Sequence, residues 1–205
     1  MKICGVTRPE DIEAAEGADY VGFVVESDSP RALPLSKARD LMSVCDVGRV
    51  AVSALADVPG LAKVARTLEP EALQAHAPLS AKDLRVLADE CQCEVWALVL
   101  IGDGRELPRA EELSRVADAV VLDTRGERLG GTGRPHDWTL SAIISEKLRP
   151  HPVVLAGGLS PSNVKEAIAK VRPWAVDVSS GVEVEGRKDA DLVKRFIGIA
   201  REAAE

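Results

Sequence analysis

A short β-branched run, Ala119–Leu122, ends in Asp123 and opens a polar loop carrying Gly126, Gly130, Gly131 and Gly133. A buried strand that delivers one carboxylate into a glycine-rich loop is how α/β enzymes commonly place catalytic acids. Glycine there lets backbone approach a ligand where a Cβ would clash. The alternative is an ordinary long surface loop running to an N-capping Asp137, over which the stretch alone favours function only modestly. Cys4 stands in the corresponding place after the first apolar run, ahead of Gly5, Thr7 and Arg8. As a thiolate it is a base or a nucleophile, with Arg8 or helix amides available to lower a pKa that is ordinarily about 8.5. As a thiol it is a small buried hydrophobe capping a core. The local sequence leaves both open.

Other polar residues stand at similar exits. Arg31, after Ser29-Pro30, carries the planar donor fork that clamps a carboxylate or phosphate, although a solvated arginine is the ordinary case. His76, after Leu73-Gln74-Ala75, suits substrate binding or proton transfer, or a satisfied place on a core rim. Val153–Ala156 leads into Gly157-Gly158, and Ala175–Val178 into Ser179-Ser180-Gly181. Amides freed by glycine, together with helix N-termini, make an anion cradle, and two such turns on successive strands favour phosphate over ordinary turns.

These residues need a scaffold that brings chain-distant strand ends together. Strand-like runs are Lys2–Cys4, Tyr20–Val25, Arg49–Ser53, Ala72–Ala75, Val95–Ile101, Ala119–Leu122, Val153–Ala156 and Ala175–Val178. Between them lie helix-like stretches: Pro9–Glu16, Ser36–Val44, Val58–Leu68, Ser80–Glu90, Glu111–Val116, Trp138–Leu148, Asn163–Val171 and Ala190–Ala204. Pro9 suits a first turn, and Ser36, Ser80 and Ser162 lie near expected caps. Strict alternation predicts a parallel sheet with right-handed crossovers, and eight units predict a closed, compact (β/α)8 TIM barrel over 1–205, an open doubly wound sheet being the alternative. No G-x-G-x-x-G fingerprint follows the first strand, and no P-loop is present. In a barrel, function belongs where strands exit into the loops leading to helices, which is where Cys4, Arg31, His76, Asp123 and both glycine turns fall.

Bulk composition narrows the partners. The 205 residues are 46% hydrophobic and 29% charged, with a formal net charge of −7. That composition is globular, and the acidic balance leaves no footprint for nucleic acid or an anionic membrane. Charge at Arg8, Glu10 and Asp11 comes too early for a secretory signal, and no apolar run approaches the ~18 residues of a membrane helix. The chain is therefore read as cytoplasmic. Cysteines at 4, 45, 91 and 93 lack metal-finger spacing, and a reducing compartment argues against a disulfide framework.

The segments KICGVTRPEDIEAA, GADYVGFVV, SPR, LDT…GGTGRPHDW, LAGGLSPSNV and DVSSGVE, the last followed by Gly186-Arg187-Lys188-Asp189, occur in this order along the whole chain. Together they resemble the phosphoribosylanthranilate isomerase family of tryptophan biosynthesis, whose members are small (β/α)8 barrels. The resemblance implies an Amadori rearrangement of N-(5-phosphoribosyl)anthranilate to 1-(2-carboxyphenylamino)-1-deoxyribulose 5-phosphate. It also implies Cys4 as general base, Asp123 as general acid and Arg31 facing the anthranilate carboxylate. Substrate contacts are expected at Arg31, His76, Gly131, Gly133, Gly157, Gly158, Ser179, Ser180 and Gly181. Neither metal nor organic cofactor is expected, and the state is monomer or homodimer. These roles require a raised carboxyl pKa and a lowered thiol pKa.

Three departures stand out: Arg49-Val50-Ala51-Val52-Ser53 where many relatives read GVF-x-N, Ala77-Pro78 after His76, and His136 in place of an aromatic. With aromatics only 3% of the chain, stacking on the anthranilate ring falls to aliphatic side chains. The competing readings are another sugar-phosphate isomerase or epimerase on the same barrel, and a non-catalytic barrel that binds a phosphorylated ligand. A dual-substrate enzyme also serving histidine biosynthesis would carry a second phosphate site near mid-chain, which the sequence lacks.

Overall fold

A computed structural model describes residues 1–102, 105–124 and 136–204. Eight parallel strands close into a barrel in sequence order. They are β1 (Lys2–Cys4), β2 (Tyr20–Val25), β3 (Gly48–Ser53), β4 (Ala72–Ala75), β5 (Glu94–Ile101), β6 (Ala119–Thr124), β7 (Val153–Leu155) and β8 (Ala175–Val178). The helices outside are α1 (Pro9–Ala14), α2 (Leu35–Ser43), α3 (Val58–Leu68), α4 (Ala81–Glu90), α5 (Glu106–Leu113), α6 (Trp138–Leu148), α7 (Val164–Val171) and α8 (Ala190–Glu202). After β8 come a single 3-10 turn, Ser180–Val182, and a two-stranded hairpin, β9 (Glu183–Val184) with β10 (Arg187–Lys188). The expected (β/α)8 barrel is the observed fold.

Strand alternation sorts the apolar residues into two cores. Ile3, Val21, Phe23, Leu73, Val120 and Val176 face the helices in one. Val24, Val50, Val52, Trp96, Val121 and Val154 fill the barrel interior in the other. One end of the interior is plugged by rings. Trp96 is fully buried and packs edge-on against Tyr20 and Trp174, with centroids 5.2 and 6.0 Å away. At the opposite end Gly22 on β2 leaves room for Lys2 and Cys4. A Cβ there would stand 2.9 Å from Cys4 Sγ and 3.0 Å from Lys2 Cε.

Some boundaries differ from the sequence reading. The fifth helix spans Glu106–Leu113 and not Glu111–Val116. Pro108 lies in its first turn, where a missing N–H leaves no helical bond unmade. Glu106 bends back to accept from the Gly102 amide. Ser36 falls inside α2, whose N-cap is Pro34, and Ser162 precedes the true N-cap Asn163. Ser80 does cap, accepting from the Asp83 amide. β6 continues to Thr124, so Asp123 belongs to the strand instead of the loop. Gly126, Gly130, Gly131 and Gly133 lie outside the described residues.

Trp96 carries the largest fully buried side chain. Trp96→Ala is expected to destabilise the fold by about 3–5 kcal/mol, measured as the shift in urea midpoint at constant m-value.

Candidate active site

The strand exits open into one cleft, concave and lined by both polar and apolar side chains as small-molecule sites are. Cys4 from β1 and Asp123 from β6 both line it. So do Arg31, His76, Gly157, Gly158, Ser179 and Ser180, so most of the expected residues converge. Gly181 stands behind the wall, where a Cβ would run into the Leu159 carbonyl. Its role is to let the turns after β7 and β8 pack together. The turn after β7 is fixed by Asn163, whose Oδ1 accepts from the Ser160 amide at 2.8 Å while Nδ2 donates to the Gly158 carbonyl at 2.9 Å. Gly157, at φ +85°, presses against the end of β6, and a Cβ would come within 2.8 Å of Asp123 Oδ1. The wall nearest β2 and β3 is aliphatic, built by Val24, Val52 and Ala54.

Under the cleft lies a polar layer that the sequence reading missed. Lys2 is fully buried, and its ammonium donates to Asp177 Oδ2 at 2.8 Å and to Gln74 Oε1 at 2.9 Å. Lys2 and Asp177 are register partners on adjacent strands. The Lys2 contact fixes the Gln74 amide, so Nε2 points at His76 Nδ1, 3.1 Å away, and must donate to it. The ring proton of neutral His76 therefore sits on Nε2, 3.7 Å from Asp123 Oδ2. The clue available in sequence was a polar residue at an inward-facing place in an otherwise apolar strand: Lys2, Gln74 and Asp177 each fit it. The Asp177 Oδ1 atom is buried without a hydrogen-bond partner among the described residues, and Asp177 lines the cleft.

Burial dominates the electrostatics. It pushes the Asp123 carboxyl up to about 6, although the Thr124 amide donates to Oδ1 at 2.7 Å and opposes the shift. It lowers His76 to about 4, helped by the Lys2 charge, so the ring is neutral. Lys2 stays charged because Asp177 and Cys4 outweigh its own burial. The expectation of a lowered thiol is not met. Burial raises Cys4 above the ordinary thiol range; Lys2 pulls it back only in part, Asp177 opposing and Lys188 assisting. His136 reaches from the start of α6 to Thr124 Oγ1 at 3.0 Å and to Ser141 Oγ at 2.6 Å, so this departure braces the neighbour of the acid.

Comparison with known proteins agrees with this fold. Residues 1–198 match the family model described as N-(5'-phosphoribosyl)anthranilate (PRA) isomerase. The N-(5'-phosphoribosyl)anthranilate isomerase of Halorubrum lacusprofundi is 41% identical over 210 residues, covering 98% of this chain and 95% of that protein. The crystal structure of phosphoribosyl anthranilate isomerase from Thermotoga maritima superposes with a TM-score of 0.87 at 36% identity, covering 98% of each chain. A phosphoribosyl anthranilate isomerase in complex with reduced 1-(o-carboxyphenylamino)-1-deoxyribulose 5-phosphate superposes at 0.84, with 34% identity and coverage of 98% and 97%.

The raised Asp123 carboxyl has a stability consequence. The folded state binds its proton more tightly than the unfolded chain, whose value is 3.8, so stability falls as pH rises through that value towards 6. Asp123→Asn is expected to gain on the order of 2 kcal/mol relative to wild type between about pH 4.5 and 8. Urea titrations at both pH values measure it; parallel stability curves for the two proteins would contradict the assignment.

Proposed function

The chain belongs to the N-(5'-phosphoribosyl)anthranilate isomerase family, and from that premise we propose that Cys4 and Asp123 are the base and acid of its reaction. The protein is an aldose–ketose isomerase of tryptophan biosynthesis that converts N-(5-phosphoribosyl)anthranilate to 1-(2-carboxyphenylamino)-1-deoxyribulose 5-phosphate. The observation that carries the assignment of roles is the shared cleft. A thiol from β1 and a carboxyl from β6 open onto the same space as the turns Gly157-Gly158 and Ser179-Ser180.

The chemistry follows from those groups. Asp123, as the neutral acid, protonates the furanose ring oxygen; the C1–O bond breaks and the anilino nitrogen supplies the electron pair, leaving an iminium. That cation acidifies the C2 hydrogen, which the Cys4 thiolate removes to give an enolamine. Ketonisation moves the O2 proton to C1, and proton exchange restores both side chains. A general acid and a general base in such roles each contribute about 10²–10⁴-fold. The turns after β7 and β8 hold the phosphate through backbone amides and the serine hydroxyls. Arg31 faces the ring carboxylate, and the aliphatic wall of Val24, Val52 and Ala54 receives the aromatic ring.

His76 is neutral, and its Nε2 proton is directed towards Asp123, which suits it to steady the carboxylate left after proton transfer. Gly131 and Gly133 are proposed to contribute amides from the loop after β6.

Two tests follow. Substrate fluorescence should disappear when protein is added, and Cys4→Ala and Asp123→Asn should each lose at least about a hundredfold in rate while still binding product. Persistent fluorescence with turnover of a different sugar phosphate would overturn the function. The pH profile tests the roles separately. With the carboxyl near 6 and the thiol above 9.0, the competent pair of neutral acid and thiolate is a minority form. Its population rises up to pH 6, stays constant between the two values and falls beyond the thiol's. A plateau in kcat/KM beginning near pH 6 is therefore expected, and a decline beginning there would contradict it.

A further inference from the structure

Arg31, the residue proposed to meet the ring carboxylate, is already paired in the free protein. Its Nε and Nη2 donate to the two carboxylate oxygens of Glu183 at 2.7 and 2.6 Å. This side-on contact uses two of the five guanidinium N–H groups. The three that remain, two on Nη1 and one on Nη2, include the complete end-on edge, which is the other geometry able to grip a carboxylate in two places. Arg31 is a lining residue of the cleft. Its stem crosses Gly5, whose φ of +76° and missing Cβ leave the path open: a Cβ would meet Arg31 Cδ at 2.5 Å.

Glu183 is itself built into place. It lies on β9 directly opposite Lys188 on β10, across a tight turn in which Glu185 and Gly186 take φ values of +50° and +76°. Positive φ at both central residues is the type I′ pattern that fits the twist of a two-residue hairpin. The cross-strand pair closes at 2.6 Å, with the Lys188 side chain 1% exposed and that of Glu183 6%. Lys188 Nζ also donates to the Ser179 carbonyl at 3.0 Å, in the turn proposed to hold phosphate. Burial would raise the Glu183 carboxyl, but hydrogen bonds from Arg31 and Lys188 prevail and hold it at about 2, so it is an anion throughout the working range.

We propose that Glu183 is a positioning residue for substrate selection: it clamps Arg31 side-on so that the end-on edge meets the ring carboxylate, and Lys188 ties this clamp to the phosphate turn. The inference rests on the reading of Arg31 given above. Substrate then bridges two parts of one network, its carboxylate at Arg31 and its phosphate at the turn anchored by Lys188. A floppy arginine would lose more conformational entropy on binding than one already fixed.

Steady-state kinetics on two substrates test it: the anthranilate adduct, and the aniline adduct of the same phosphoribosylamine, which lacks the carboxylate. Glu183→Gln should raise KM for the anthranilate adduct about tenfold with little change in kcat. KM for the aniline adduct and inhibition by inorganic phosphate, which both report only the phosphate turn, should change less, so the KM ratio between the two substrates shifts. Equal losses on both substrates would show a purely structural role, and a lower KM for the anthranilate adduct would show that Glu183 competes with substrate; either overturns the proposal. If stranding Lys188 unfolds that variant, the double variant Glu183→Gln with Lys188→Met removes the unpaired charge. Its KM ratio between the two substrates should shift the same way, and an unshifted ratio overturns the proposal. Arg31→Ala separates the two layers of argument. It should abolish the preference for the carboxylated substrate, and if that preference survives, it is the reading of Arg31 that fails.

Discussion

An ammonium group sealed inside a barrel of apolar strands has to be answered, and the answer given to Lys2 organises the site. An unpaired buried charge costs several kcal/mol, so its neighbours are constrained. Asp177, its register partner on β8, takes the charge, and Gln74 takes a second N–H. Through Gln74 the constraint reaches His76, whose tautomer is set by the amide that faces it, and through His76 it reaches Asp123. The same ammonium stands beside Cys4, because residues two apart on a strand share a face and Gly22 leaves the space between them empty. One cation thus connects the two groups proposed to exchange protons with substrate.

Burial acts on that pair in one direction only. It disfavours the charged form of each, so both the carboxyl and the thiol are raised. For an acid this is useful, since it keeps a proton available near neutrality. For a base it works against the chemistry, and the compensation is positive charge: Lys2 below and Lys188 to the side. A minority of competent protein is then the cost of placing the proposed base in a cleft buried enough to raise the proposed acid to about 6. Glycines at 5, 22 and 157 serve the same compactness, each admitting a functional side chain where a Cβ would collide.

The barrel and its chemical end were legible in the sequence because a strand period of two and a terminal polar residue are local signals. Cys4, Arg31, His76, Asp123 and both glycine turns were all visible that way. Glu183 was visible only as part of a motif, since its place in the site is set by pairing across a hairpin and by an arginine 152 residues away. Lys188, in the segment that follows, was visible in the same way and no further. The expectation of a lowered thiol failed because sequence shows which charges exist, here Arg8, but not the depth of burial. Arg8 instead pairs with Asp11 at 2.7 Å. Ser36 and Ser162 lie near helix starts as expected, but backbone geometry makes Pro34 and Asn163 the caps.

The dependence of the site on the buried Lys2 charge is open to a direct measurement: the rate of Cys4 alkylation by iodoacetamide against pH, in wild type and in the double variant Lys2→Met with Asp177→Asn. Removing both charges avoids stranding either, and the other cysteines are replaced by serine in both proteins. Lys2 favours the thiolate more than Asp177 opposes it, so the account predicts that the alkylation midpoint moves to higher pH in the variant. A midpoint that stays where it was, in a variant that still folds, would contradict it.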